Sequence, residues 1–346
     1  MTKLQHHIPH GVRVLLLVLL LVLLFLFVSC APMAKGTGGA TLSVSEVQPG
    51  VFVHTGALED WGRANGGDVS NMVFVVGSRC VAVIDTGGTP ALGQAWLNTV
   101  RQHSSLPVCY VINTHTHLDH LLGNVAFAQG VSPAPQFVAS ARYAATMSAR
   151  EPYYRNALER DFGIRLTHAD IVYPTLTVER NLDLDLGGRS LHLQAWPVAH
   201  TDNDLTVLDQ RTRTLIASDL LFVQQLPALD GKLRGWLCAM AALRDLSVAT
   251  VVPGHGPVRN DWPAAMDAQA DYLTGLLRDT RAALHKGLGL QQAVDRITVP
   301  ANAHWALVEQ FQRRNVTAAY AELEWDDDDP SSRAEASACA ARLGRN

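Results

Sequence analysis

Cysteine is scarce in this chain of 346 residues, which contains five. None of them belongs to a Cys-x-x-Cys pair, and their spacing excludes a structural zinc site built from thiolates. Cys80 and Cys109 lie near the starts of two predicted strands, so we expect them to form a disulfide if those strands are neighbours. If they do not pair, each is expected to be a small buried hydrophobic residue.

A basic surface is also missing. The formal net charge is −4 and no stripe of lysine and arginine is present, which argues against binding to nucleic acid. A glycine-flanked serine elbow is absent as well, because Ser218 in IASDLL lacks the glycines of that motif. The sequence therefore disfavours both a nuclease and a serine hydrolase.

Long hydrophobic runs are absent except near the N-terminus, where 15 apolar residues occupy positions 14–28. A run of that length is short for a membrane span and is typical of a secretory signal. Cys30 follows in FVSCA, which resembles the lipobox of bacterial lipoproteins; an uncleaved membrane anchor is the alternative. We expect a signal or anchor at 1–30, a flexible tether at 31–44 and a mobile acidic tail at 326–346. The protein would then be exported to the periplasm and lipid-anchored to the outer membrane.

Strand and helix patterns alternate in two similar batches between residues 45 and 325. Alternating and β-branched runs predict strands within 51–56, 71–77, 79–88, 107–115, 182–198, 205–219 and 249–256. Helical spacing predicts helices at 90–103, 121–129, 141–162, 263–286 and 303–323, the third of them kinked or split at Pro152. Two half-sheets packed face to face with helices outside would form a four-layer α/β/β/α sandwich, in one domain over 45–325.

Histidine and aspartate crowd the segment INTHTHLDH at 112–120, where a strand ends and a loop enters a helix. Ligand sites of α/β sheets lie at such strand ends. The segment supplies His115, His117, Asp119 and His120, and later strand ends supply His200, Asp219 and His255. Imidazoles and carboxylates without thiolates suit zinc, and also iron or manganese. The joint pattern predicts a metal site, although a single loop histidine would not.

The order of these motifs, HxHxDH and then a distant His, Asp and His, resembles the metallo-β-lactamase superfamily over roughly residues 45–325. The resemblance implies two Zn²⁺ per chain, the first held by His115, His117 and His200. The second ion would be held by Asp119, His120 and His255, with Asp219 bridging both. Asp85 in VIDTGG resembles an aspartate that hydrogen-bonds a ligand histidine and fixes its tautomer. Asp119 is also expected to pass a proton to the leaving group.

Four segments look like a narrower group, the quinoprotein relay system zinc metallohydrolases: 65–88, 195–207, 218–237 and 314–325. The expected function is an exported hydrolase of an ester, thioester, lactone or amide bond, attacked by a metal-bridging hydroxide, with a link to a quinoprotein dehydrogenase. Asp219 disfavours β-lactam hydrolysis, because the best-known lactamases of the superfamily lack an aspartate there. β-Lactam hydrolysis, persulfide oxygenation with one iron, and a non-catalytic accessory role that binds metal or quinone stay open as alternatives.

Loops over the metals are expected to select a small-molecule substrate. The flap after the first strand, 54–68, carries His54 and Trp61. The segment 220–236 carries Phe222, Arg234 and Trp236, and Arg234 would either bind a substrate carboxylate or be a simple surface residue. The predicted helix at 141–162 carries three tyrosines that would line a pocket or pack on the sheet: Tyr143, Tyr153 and Tyr154.

Overall fold

Short runs of β-branched residues in the first half of the chain build one seven-stranded sheet. The computed structural model describes residues 39–300 and 303–325, so the expected signal segment, most of the tether and the acidic tail lie outside the described residues. The sheet follows chain order: β1 (Ser45–Gln48), β2 (Val51–His54), β3 (Met72–Val76), β4 (Val81–Ile84), β5 (Val108–Ile112), β6 (Gln136–Ser140) and β7 (Leu176–Val178). Strands β4 to β7 pair in parallel. The described residues from Ala40 onward form one compact unit.

The second half of the chain builds a five-stranded sheet. Its spatial order is β12-β11-β10-β9-β8, with β8 (Asn181–Asp185), β9 (Ser190–Ala195), β10 (Leu205–Asp209), β11 (Thr214–Phe222) and β12 (Thr250–His255). β11 and β12 run in parallel, whereas the other neighbours are antiparallel. The Gly-Gly turn and the polar turn predicted from the sequence join β8 to β9 and β10 to β11.

Helices cover the outer faces of both sheets. In the described residues they are α1 (Pro90–His103), α2 (Leu118–Leu121), α3 (Asn124–Gly130), α4 (Tyr143–Phe162), α5 (Leu233–Arg244), α6 (Asp267–His285), α7 (Leu290–Arg296) and α8 (Val308–Leu323). Thr89 begins α1 by accepting a hydrogen bond from the amide of Leu92, with Pro90 in the first turn. None of these helices is long and apolar enough to cross a bilayer.

The alternation within single strands produces the layers. Ala82 and Ile84 of β4 face the second sheet and join a core formed by both inner faces, whereas Val81 and Val83 face α1 and α3. The outer face of the second sheet packs on α5, α6 and α8. The predicted four-layer α/β/β/α sandwich is therefore confirmed.

Two helices, α4 and α5, differ from what the sequence predicted. α4 is one continuous helix through Pro152, so the expected split is absent, and Met147, Tyr154 and Leu158 pack inward on either side of the proline. α5 was not expected, since no side chain of its own first turn caps it. Glu322 of α8 accepts hydrogen bonds from its first amides instead.

The region expected to be a tether is held to the domain where the structure describes it. Leu42 and Val44 pack on the core beneath α1, and the amide of Leu42 donates to the Thr99 hydroxyl at 2.7 Å. These apolar residues are half-buried against the domain rather than extending into solvent, so residues 40–44 are not a free linker.

A disulfide joins Cys80 and Cys109, whose α-carbons are 5.8 Å apart. Cys80 lies just before β4 and Cys109 lies in β5, which is its parallel neighbour. The predicted pairing is confirmed, because the two strands that carry Asp85 and His115 at their ends are adjacent.

Candidate metal centre

The seven candidate ligands converge at one edge of the sandwich, where strands of both sheets end. The loop after β5 brings His115 and His117, and the short helix α2 brings Asp119 and His120. The β9–β10 loop brings His200, and β11 and β12 bring Asp219 and His255. Their ligand atoms form two groups, and within each group every pair of atoms lies within 4.8 Å. The first group is His115, His117, His200 and Asp219; the second is Asp119, His120 and His255.

Each of four histidines uses its Nδ1–H on an acceptor outside the cluster. His200 donates to the Ala228 carbonyl at 2.7 Å and His255 donates to the Val69 carbonyl at 2.9 Å. His120 donates to Asp85 at 2.8 Å, and His115 lies 3.1 Å from the Thr114 hydroxyl. Since a neutral imidazole has one N–H, all four present an unprotonated Nε2 to the centre.

His117 has the opposite orientation. Its Nε2–H donates to Oδ2 of Asp230 at 2.9 Å, which leaves Nδ1 unprotonated and 3.0 Å from Nε2 of His200. When both imidazoles are neutral, each ring has its single N–H committed elsewhere, so two lone pairs face each other at hydrogen-bond distance. Such an arrangement is repulsive unless a cation or an added proton lies between them.

Other polar atoms of the cluster also lack a hydrogen-bond partner. The Nε2 atoms of His115 and His120 and Oδ1 of Asp219 are buried without a hydrogen-bond partner. Oδ1 of Asp219 lies 3.1 Å from Nε2 of His120, but the two are not aligned as donor and acceptor. Orphaned buried polar atoms of this kind are rare in folded proteins unless an ion or water satisfies them. The donor set fits one or more divalent cations.

Burial and the carboxylates of the cluster act in opposite directions on its histidines: burial would lower the pKa of His200, but Asp219, Asp204 and Asp230 raise it above 6.5. Burial lowers the pKa of His115 and His117 below 6.5. Burial would also lower the pKa of His120, but Asp219, Asp119 and Asp85 raise it well above 6.5. The carboxylates therefore impose a negative potential that a proton would balance in the absence of metal.

Asp219 lies between the two groups. Its Oδ2 is 3.2 Å from Nε2 of His200 and 3.5 Å from Nε2 of His255, so one carboxylate reaches both. Burial would raise its pKa, but His120, His255 and His115 lower it well below the ordinary value. Gly254 of β12 leaves the space for this carboxylate, since an added Cβ would overlap Oδ1 of Asp219.

The backbone of β11 is irregular where it delivers Asp219. Ile216 pairs with Val252 and Phe222 with His255, so β11 carries extra residues relative to β12 and bulges between them. Ser218 has a φ of 48°, in the left-handed region that non-glycine residues seldom adopt. The bulge turns the carboxylate of Asp219 to the edge of the sheet, where the histidines lie.

Asp85 organises two histidines from the end of β4. Its Oδ2 accepts from His120 and from the Thr114 hydroxyl at 2.8 Å, and Oδ1 accepts from the Thr114 amide at 2.9 Å. Thr114 passes this support to His115. Asp85 also has a positive φ of 59°, and backbone strain of this kind clusters at functional sites.

The loop segments expected to select substrate are placed differently from the prediction. Phe222 and Trp236 are buried behind the centre, with ring centroids 5.1 Å from those of His255 and His200 respectively. His54 is buried against Ser43 and Asp68, away from the seven ligands. Trp61 packs on Phe162 and donates to the Gly88 carbonyl. Phe222 and Trp236 therefore lie behind the centre rather than over it, because the burial of large aromatic rings is stabilising.

The three tyrosines of α4 and Arg234 do not line a common pocket. Tyr143 and Tyr154 are buried, and the Tyr154 hydroxyl donates to the Thr116 carbonyl at 2.7 Å, whereas Tyr153 is 61% exposed. Arg234 is half-buried in the first turn of α5. Tyr154 thus supports the loop that carries the first histidines, and Tyr143 packs in the core.

Sequence reasoning did not identify Asp230 or Arg150. Asp230 lies in the loop before α5, and its Oδ2 accepts from His117 and pairs with the Arg150 guanidinium of α4. An aspartate before a glycine is common in turns, and an arginine on a helix is common at surfaces, so neither residue carries a local signal.

Comparison with known proteins agrees with this geometry. Residues 65–255, more than half of the chain, match the family model described as the metallo-beta-lactamase superfamily. A curated relative, the beta-lactamase-like protein 2 homolog of Caenorhabditis elegans, is 20% identical over 187 residues, which cover 54% of this chain and 55% of that protein. The chain thus spans about half the length of that relative.

Solved structures show the same fold at low identity. The stereoselective inverting sec-alkylsulfatase Pisa1 from Pseudomonas sp. is 17% identical, with a TM-score of 0.64 over 84% of this chain and 51% of that one. A metallo-beta-lactamase from Pontibacter korlensis is 21% identical, with a TM-score of 0.54 over 68% of this chain and 99% of that one. By the family match over most of its central domain, the chain belongs to the metallo-β-lactamase superfamily.

Proposed function

We propose that this protein is a hydrolase that works with two zinc ions held by the seven converging side chains. The observation that carries the proposal is the meeting of bare acceptor atoms, above all Nδ1 of His117 and Nε2 of His200 at 3.0 Å, with their N–H groups committed elsewhere. Two separate ligand groups joined by Asp219 support two ions rather than one.

The residues would divide between the ions as follows. His115, His117 and His200 would hold the first ion, Asp119, His120 and His255 the second, and Asp219 both. When bound, a pair of zinc ions supplies Lewis acidity and a nucleophilic water at neutral pH. The buried hydrogen bonds to Asp85, Ala228 and Val69 keep the imidazoles in fixed orientations before any substrate arrives.

Asp119 is the carboxylate best placed to handle a proton. Its side chain is 15% exposed, whereas that of Asp219 is 3% exposed, so Asp119 faces the side from which a substrate enters. Ser70 fixes the backbone there by donating to the Asp119 carbonyl at 2.6 Å. A carboxylate at this position can pass a proton to a leaving oxygen, sulfur or nitrogen. Ser218 is no rival nucleophile, because its hydroxyl is buried against Thr114.

Elemental analysis of the purified protein, run beside a substrate panel, tests the proposal. We expect about two zinc ions per chain and turnover of an ester, thioester, lactone or amide. The panel includes a cephalosporin and a secondary alkyl sulfate, on which the structural relatives' names suggest activity. One iron per chain with persulfide oxygenation would contradict the proposal, and so would bound zinc with no hydrolysis of any substrate.

A role in periplasmic quinoprotein metabolism is a second part of the proposal. The segments 65–88, 195–207 and 218–237, which resemble quinoprotein relay system zinc metallohydrolases, carry Asp85, His200, Asp219 and Asp230 around the centre. The Cys80–Cys109 disulfide supports export to an oxidising compartment. Mass spectrometry of the native N-terminus tests export with lipidation: we expect a chain that begins at lipidated Cys30, and an intact Met1 would contradict this.

A further inference from the structure

His117 differs from the other histidines of the centre in how it is held. Four histidines are anchored through Nδ1 by neutral carbonyls, by a hydroxyl or by the buried Asp85. His117 is anchored through Nε2 by Asp230, a carboxylate that is about one-third exposed. We call the group of His115, His117, His200 and Asp219 the first subsite and the group of Asp119, His120 and His255 the second. The first subsite therefore depends on Asp230, which lies near solvent and 113 positions from His117 in the sequence.

Asp230 is itself held from a different element. The guanidinium of Arg150 on α4 pairs with the same Oδ2 that accepts from His117. One carboxylate oxygen of Asp230 therefore meets both the His117 imidazole and the Arg150 guanidinium. Arg150 also lies 3.4 Å from the hydroxyl of Tyr154, which donates to the Thr116 carbonyl next to His117.

We propose that Asp230 and Arg150 form a positioning pair that selects the His117 tautomer and couples α4 to the first metal subsite. Asp230 can only accept, so it holds the proton on Nε2 and keeps Nδ1 free for an ion. Arg150 fixes the direction from which Asp230 approaches. The inference rests on the proposed metal function and deepens it, because it names the residues that set the affinity of one of the two subsites.

Zinc affinity, rather than turnover, is the measurement that tests the pair. In a His255→Ala background, which disables the second subsite, competition with a chromophoric chelator reports Zn²⁺ binding by the first subsite alone. We expect Asp230→Ala to weaken this binding about 10–100-fold, as is typical when the partner of a ligand histidine is lost. Asp230→Asn keeps an acceptor for Nε2–H and should rescue most of the loss. Arg150→Ala should fall between these two variants.

Matched controls separate positioning from general destabilisation. Asp183 accepts from Nδ1 of His192 at 2.8 Å on the β8–β9 hairpin, far in sequence from the ligands, and Asp183→Ala should leave Zn²⁺ affinity unchanged. Arg160→Ala removes an exposed ion pair from the same helix as Arg150 and should also have no effect. With Co²⁺ in place of zinc, the visible spectrum should change in Asp230→Ala and not in the controls, because His117 would reorient.

The outcomes distinguish the inference from the proposed function. Wild-type affinity in Asp230→Ala and Arg150→Ala overturns the pair, even if the enzyme hydrolyses its substrate. Equal losses in Asp230→Ala and Asp183→Ala also overturn it. If Asp230→Ala does not fold, Arg150→Ala and Asp230→Asn decide by the same measurement. If zinc binds with the expected pattern but no substrate is hydrolysed, only the proposed function is contradicted. If the wild-type chain binds no zinc, the proposed function and the positioning pair are both contradicted.

Discussion

The two ligand groups of the centre differ in residue type and in the residues that support them. His115, His117 and His200 form an all-imidazole group supported by Thr114, Asp230 and the Ala228 carbonyl. The second group mixes Asp119 with His120 and His255, and its support comes from Asp85 and the Val69 carbonyl. The first group therefore depends on α4 and the loop before α5, and the second depends on Asp85 just after β4 and on Val69 just after the flap. From this difference we expect the two proposed metal subsites to be weakened separately by changes in the residues that support them.

Removing the shared ligand should have the largest effect. In Asp219→Ala the carboxylate that reaches both groups is lost, and its closest contact, Nε2 of His120 at 3.1 Å, belongs to the second. We expect metal content to fall from about two towards one per chain, with the second ion lost first, because the first keeps three histidines. Hydrolysis should be largely lost while the fold is retained. Elemental analysis, activity assays and circular dichroism check this.

A matched variant sharpens that experiment. Asp219→Asn keeps the shape of the side chain and removes its charge, so it should fold like the wild type and still lose metal. If Asp219→Ala keeps two ions and normal turnover, Asp219 is not a shared ligand and the two groups are not joined through it.

Changing Asp85 should weaken the second subsite more than the first. Asp85→Ala removes the acceptor of His120 Nδ1–H directly and acts on His115 only through Thr114. We expect about a 10–100-fold loss of affinity at the second subsite and a smaller loss at the first, opposite to the order in Asp230→Ala. A two-step zinc titration of both variants measures the reversal. Equal losses at both subsites in each variant would show that they are one cooperative unit.

The stabilisation that His54 gives the flap at residues 54–68 should depend weakly on pH. His54 donates from Nδ1 to the Ser43 carbonyl and from Nε2 to Asp68, so both bonds need the protonated imidazole. Burial would lower the pKa of His54, but Asp68 and the Ser43 carbonyl raise it above 6.5. A raised pKa in the folded state means that this stabilisation is complete below pH 6.5 and is lost as pH rises through the folded value.

Thermal unfolding of the wild type and His54→Gln across pH 5.5–8.5 tests the flap prediction. We expect a difference of about 1–2 kcal/mol in the free energy of unfolding at the acid end, narrowing as pH rises. Other titrating groups cancel in the comparison of the two chains. A gap that is constant with pH, or that widens towards alkaline pH, would contradict a protonated His54.

The ligand set was predictable from sequence because its chemistry restricts residue type. The HxHxDH segment follows a strand directly, and only histidine and acidic residues supply such donors, so His115 to His120 stood out locally. His200, Asp219 and His255 also follow or end strands. Their role as metal ligands stays a prediction, but the structure brings all seven together. The layers were also predictable, because the alternation of side chains within β3 and β4 is a property of a few consecutive residues.

Other features could not be predicted, because they depend on contacts between distant segments. The expectation that Phe222 and Trp236 cover the metals was wrong, since the packing of α5 and α6 on the second sheet places both rings behind the histidines. α5 itself is capped by Glu322 from a helix 89 positions later. No local sequence pattern predicts a hydrogen bond between residues so far apart in the chain.

The sequence by itself determined the family of folds and the residue types of a metal centre, because strand alternation, strand ends and ligand chemistry are properties of short stretches. For Cys80 and Cys109 it left pairing and separate burial open, and the adjacency of β4 and β5 decided for the disulfide. Only the tertiary structure decided which nitrogen of each histidine faces the centre. That choice belongs to Asp85, Asp230 and backbone carbonyls brought in from other elements. A neutral imidazole has one proton to give, so the partner outside the cluster, which the fold alone selects, sets where its lone pair lies.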